Sequence, residues 1–99
     1  MLADWLDRHT SRAPAVLRAR VRDYALASAS DATHPDALAQ AAGRALGRVV
    51  AHPGDRSVAL DLLAADALIT LALLAQAQSV PERLGDFAAS MLRTGRPNV

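Results

Sequence analysis

The sequence predicts an all-α fold: a small orthogonal or up-down bundle of four main helices and a short N-terminal helix, built around one hydrophobic helix at about residues 57–78. Three observations carry this reading. Residues 58–78, VALDLLAADALITLALLAQAQ, form a helix-length and largely apolar run, with Asp61 and Asp66 its charged residues. Pro, Gly, Ser and Asp clusters at 28–34, 52–55 and 79–81 cut the remainder into segments with helical periodicity. No stretch alternates apolar and polar residues long enough to make a strand.

On a helical wheel the large side chains of the central run gather into no single stripe. Val58, Leu62, Ile69 and Leu73 take one side, Leu63 and Leu74 another, and Leu60, Leu68 and Leu71 a third. A helix apolar nearly all round is expected to be enclosed on every side, by protein or by lipid. Residues 58–77 are long enough to span a bilayer. Asp66 would then lie mid-span, at about 2.5–3.5 kcal/mol, with a smaller penalty for Asp61. The flanks, Asp55-Arg56 and Pro81-Glu82-Arg83, carry mixed charges and no basic cluster. Water is therefore the expected solvent and a membrane partner is not. Asp61 and Asp66 are both expected to be buried polar residues, each held by an arginine, a helix N-terminus or water, because an unpaired buried carboxylate is very costly.

In chain order, Leu2, Trp5 and Leu6 at i, i+3, i+4 make a short amphipathic helix, with Asp4 and Asp7 near its N-terminal end. Pro14 suits the first turn of a second helix. Leu17, Val21, Tyr24 and Ala25 share its inner face, and the stripe fades at Ser28. The polar segment 28–34, SASDATH, reads as a loop. Thr33 can cap a third helix, with Pro35 in its first turn and Asp36 three residues after the cap. That helix runs from Asp36 to about Ala51, with Leu38, Ala41, Ala42, Ala45, Leu46, Val49 and Val50 inward. His52-Pro53-Gly54-Asp55 breaks it, and Ser57 is placed to cap the central helix. Ser79-Val80-Pro81-Glu82 spells a capping box for a last helix carrying Leu84, Phe87, Ala88, Met91 and Leu92 inward and ending near Gly95. Residues 1–95 form one domain and 96–99 a tail. With 23 alanines and only Trp5, Tyr24 and Phe87 as aromatics, stability rests on close helix packing around small side chains.

The function classes narrow mainly by what is missing. Eleven arginines and no lysine stand against ten acids, interspersed, for a formal net charge of +1. Electrostatics alone give no nucleic-acid partner. There is no cysteine, hence no disulfide or thiolate chemistry. The opening MLADWLDRHT carries acids where a secretory signal carries positive charge, so a cytoplasmic location is expected. His9, His34 and His52 are at least eighteen residues apart, with no second ligand one helical turn away, so no metal site is expected. Asp61 and Asp66 lie about 140° apart round a helix and cannot share a substrate. No nucleophile motif or Gly-rich phosphate loop occurs, so neither an enzyme nor a cofactor is expected.

His34-Pro35-Asp36 resembles the tripeptide of the J-domain co-chaperone family. Those domains place a Tyr-x-x-Leu-rich basic helix directly before it and a Phe-containing helix soon after. Here the loop-like SASDATH segment comes before Pro35 and the next helix has no aromatic, so helix capping accounts for the triplet. Residues 64–73, AADALITLAL, look like a helix of the isoprenyl diphosphate synthases. That family's Asp-Asp-x-x-Asp motifs are absent and nothing carries over.

Two features remain as candidate partner-binding sites. Ala39, Gly43 and Gly47 form a small-xxx-small ridge, either accommodating the central helix or meeting another subunit; each glycine costs about 1 kcal/mol against alanine inside a helix and calls for a reason. Arg18 and Arg22, one turn apart, lie in the most basic part of the chain, which also holds Arg8, Arg12 and Arg20. The expected function is a small soluble protein-interaction module, self-associating, with itself or another protein as partner. The alternative is a small nucleic-acid-binding regulator using the arginines of residues 8–22.

Overall fold

The computed structural model describes residues 1–27 and 33–95. It is an all-α bundle: α1 Leu2–His9, α2 Ala15–Ala27, α3 His34–Ala51, α4 Ala59–Ser79 and α5 Leu84–Gly95, with 3-10 turns at Arg56–Val58 and Pro81–Arg83. No strand occurs among the described residues. The expected loop falls mostly on residues 28–32, outside the described residues, as does the tail.

Local chemistry sets the helix boundaries. The Thr33 hydroxyl accepts from the Asp36 N–H at 3.3 Å and Pro35 occupies the first turn of α3, satisfying one orphan donor where proline has none to lose. The 52–55 break turns the chain at Gly54, whose φ of 79° lies in the left-handed region that glycine enters freely. Two expected caps are replaced. Asp55, not Ser57, caps the turn into α4, its carboxylate accepting from the Ser57 N–H at 2.9 Å. Ser79 is the last residue of α4, its hydroxyl donating to the Ala75 and Gln76 carbonyls. No side chain caps the 3-10 turn leading into α5, because Ser79 is spent on the helix before it.

Helices α3 and α4 form the most extensive packing pair, and α2 lies against both. Ala25, Ala41, Ala45, Ala64, Ala65 and Ala72 are wholly buried among Leu6, Val21, Leu38 and Leu68. The absence of side-chain bulk at those six positions lets the helix axes approach, and the larger four fill the remaining space. Alanines, and not the glycines, make the close contacts. Gly43 and Gly47 have open space where a Cβ would stand, so the ridge does not accommodate α4 within the molecule.

The central helix is not enclosed. Its inner face, Asp61, Ala64, Ala65, Leu68, Ala72 and Ala75, is buried, but Leu62, Leu63 and Leu74 are 51%, 56% and 39% exposed. Asp66 lies on that outer face, exposed, and among the described residues its carboxylate takes part in no ion pair or hydrogen bond. The expectation that it is buried and paired is therefore overturned; α2, α3 and α5 cover only part of the α4 circumference. Residues 56–79 are long and apolar enough to cross a bilayer by length and composition. Val50 and Leu92, expected inward, are also exposed, at 71% and 68%. The last helix α5 rests on the core through half-buried Phe87 and Met91, and none of its described side chains is fully buried.

Candidate interaction surface and the buried Asp61 cluster

Among the described residues Asp61 is the one charged side chain in the core, with no exposed surface. It sits in the first turn of α4, where the helix dipole favours an acid, on the side facing α2 and α3. One carboxylate oxygen accepts from Arg20 Nη1 at 2.6 Å and from the Tyr24 hydroxyl at 2.7 Å. The other accepts from Arg48 Nε at 3.3 Å. Arg20 and Tyr24 lie four apart on α2 and so reach the same atom, while Arg48 arrives from α3. Burial pushes the Asp61 carboxyl upward, but the hydrogen bonds from Tyr24 and Arg20 and the charges of Arg20 and Arg48 outweigh it and hold the group below the usual aspartate range. Burial, with the bond to Asp61, raises the Tyr24 phenol above its ordinary value. The bond to Asp61 likewise raises Arg20. Arg44 extends the cluster, its guanidinium donating to the Tyr24 carbonyl and lying 5.8 Å from the Tyr24 ring centroid. Charge, donors and burial are thus matched: the cluster ties three helices together and leaves no buried side-chain polar atom unpartnered among the described residues.

The N-terminal helix is fixed by a second polar contact. Trp5, 7% exposed, donates its indole N–H to the Gln78 side-chain oxygen at 3.0 Å, joining α1 to the end of α4. The His9 ring stacks on the indole at 4.1 Å with its Nδ1 2.7 Å from the Trp5 carbonyl. A carbonyl only accepts, so that nitrogen carries the proton. His52 bonds the Arg48 carbonyl through Nδ1 at 2.9 Å. Both histidines serve helix ends.

The predicted arginine site is divided by the fold. Arg22 pairs with Asp7 of α1 at 2.8 Å, Arg20 is committed to Asp61, and Arg18 is half-buried. Residues 8–22 therefore do not present five arginines to one partner. Ala39 and Gly43 line a groove of about 690 Å³ between α3, α4 and α5, with Leu46, Ile69, Leu73 and Met91; Gly47 lies exposed on the same helix. A second groove, about 740 Å³ and more polar, runs between Trp5, His34 and Gln78 on one side and Arg83, Phe87 and Arg93 on the other. The outer face of α4 adjoins the first groove through Leu73.

The sequence marks Asp61 as a buried acid that needs an arginine or another donor, but not which residues supply it: Tyr24 reads there only as an inner-face residue of α2. The available signal was that an acid on an apolar helix requires donors, and α2 offers Arg20 and Tyr24 at i, i+4. Fold and surface together define a small helical bundle with one bare apolar flank. Comparison with known proteins gives no match to a family, a curated protein or a solved structure.

Proposed function

We propose that this chain is a small helical interaction module that associates with itself and has no catalytic activity. The observation that carries the reading is the outer face of α4, where Leu62, Leu63 and Leu74 stand 39–56% exposed on one side of a helix whose opposite side is the core. Leucines exposed along one helix face, here to either side of Asp66 and Thr70, support a surface of the kind that another macromolecule covers. The open space beside Gly43 and Gly47 supports the same reading, since both glycines weaken α3 without serving a contact inside the molecule. The nucleic-acid alternative is weaker than its sequence suggested, because Arg20 and Arg22 are tied to Asp61 and Asp7. Light scattering from low to high micromolar concentration tests the proposal. A mass that rises with concentration is expected; a strict monomer throughout would refute it.

A further inference from the structure

The groove of about 690 Å³ between α3, α4 and α5 is polar along one stretch and apolar along the rest. Asp36, Ala39, Gln40, Gly43 and Leu46 form its α3 wall, at spacings that set them on one face of that helix. Followed along the wall, the exposed Asp36 carboxylate and Gln40 amide come first, one turn apart. Next comes Gly43, where no atom lies within 4 Å of the place a Cβ would take, and then half-buried Leu46. Across the groove, Ile69 and Leu73 of α4 and Phe87, Ala88 and Met91 of α5 are apolar and half-buried. Among the described residues neither Asp36 nor Gln40 has a side-chain ion pair or hydrogen bond, and no arginine lines the groove.

Size and charge together select the occupant. From Asp36 to Leu46 the wall runs about 15 Å, so the volume leaves a cross-section of about 45 Å². A helix about 10 Å across needs about 80 Å² and does not seat there, whereas an extended alkyl chain does. The one charge on the lining is the Asp36 carboxylate, so a cationic head group is matched and an anionic one is repelled. We infer that the groove binds a small amphiphilic cation, a primary amine on one unbranched chain of about ten to twelve carbons, with its ammonium at Asp36 and its tail over Gly43 toward Leu46. The ammonium has three donors to share between the Asp36 carboxylate and the Gln40 side-chain oxygen. The tail leaves water for a trough of the make-up usual in small-ligand sites, apolar walls with a few polar groups that set orientation. The head stays at the exposed rim, so the tail supplies most of the affinity and Asp36 a few-fold of selectivity. This goes beyond self-association and does not depend on it, since Leu62, Leu63 and Leu74 of the outer α4 face do not line the groove.

Calorimetric titration of the full chain with decylamine and with decanoate, both below their micellar concentrations, tests the inference. Decylamine is expected to bind with a Kd of roughly 100–500 µM, and decanoate at least about fivefold more weakly. Asp36→Asn should weaken the amine about threefold to fivefold and close most of the gap to decanoate, because it removes the charge and leaves the trough. Gly43→Leu and, from the opposite wall, Ala88→Leu each fill the trough and are expected to cost at least about tenfold. Leu62→Gln, on the outer face of α4, should change nothing. Circular dichroism identifies the variants that keep the parent's helicity, and two independent blocking positions keep the test open if one of them unfolds. No binding of decylamine up to about 1 mM overturns the inference. So does decanoate binding as well as the amine, or a folded blocking variant that binds like the parent. A loss in Leu62→Gln alone would move the ligand to the outer face and overturn it too. Light scattering on the ligand-free chain decides self-association separately.

Discussion

Replacing Asp61 by alanine removes the acceptor for three donors at once. Its side chain is wholly buried and takes bonds of 2.6, 2.7 and 3.3 Å from Arg20, Tyr24 and Arg48. Breaking a buried ion pair from one side costs about 3–5 kcal/mol when the stranded charge has nowhere to go. Here the arginine side chains are 36% and 53% exposed and can turn to water, which lowers the expected loss to about 2–3 kcal/mol. For a domain of this size that is a fall in Tm of roughly 10–20 °C. Urea unfolding followed by far-ultraviolet circular dichroism measures it directly. Tyr24→Phe keeps both arginines on Asp61 and is expected to cost only about 1 kcal/mol. The linkage has a definite sign. With its folded pKa depressed, Asp61 contributes stability that is present above the unfolded carboxylate range and lost as pH falls through the folded value, below about 3.8. Tyr24, with its phenol raised, contributes stability present below about 10 and lost as pH rises through its folded value. Asp61→Ala should remove the acid limb attributable to this group. A loss under 0.5 kcal/mol, or an unchanged acid limb, would show that the cluster does not hold the three helices together.

Three further outcomes follow from other parts of the fold. Gly47→Ala, placed where a Cβ meets nothing, is expected to stabilise the monomer by about 0.5–1 kcal/mol; a destabilised variant in thermal melts would mean that α3 needs glycine there. Thr33→Ala removes the acceptor for the Asp36 N–H and should lower stability by about 1 kcal/mol in urea titration, whereas an unchanged midpoint would deny the cap any role. Trp5→Ala empties a site only 7% exposed and is expected to lose about 3–5 kcal/mol; a loss under 1 kcal/mol in the same titration would show that α1 is not anchored there.

What the sequence makes legible here is decided within a few residues of itself. The start of α3 is readable because Thr33, Pro35 and Asp36 act on backbone groups one turn away. Asp61 is readable as buried because an acid beside leucines on an apolar helix has few alternatives. Asp66 has the same local surroundings and the opposite fate, exposed on the bare face of α4. With apolar residues on all sides, the wheel cannot say which side the other helices cover, and that choice is made by α2 and α3 in three dimensions. Ser57 and Ser79 fail for a related reason. A hydroxyl near a helix end has several backbone partners within reach, and here Asp55 takes one role while the Ala75 and Gln76 carbonyls take the other. The pairing of Asp61 with Tyr24 and Arg48 joins residues thirty-seven and thirteen apart, a relation no local pattern carries.

The shallow seating of α5 has a consequence for how the molecule breathes. A helix held by Phe87 and Met91, neither fully buried, can lift away while the alanine-packed layers of α2, α3 and α4 stay closed. Its amide protons should therefore exchange with solvent far sooner than those near Leu68. Each lifting would uncover the floor of both neighbouring grooves at once, making the C-terminal helix the molecule's own shutter.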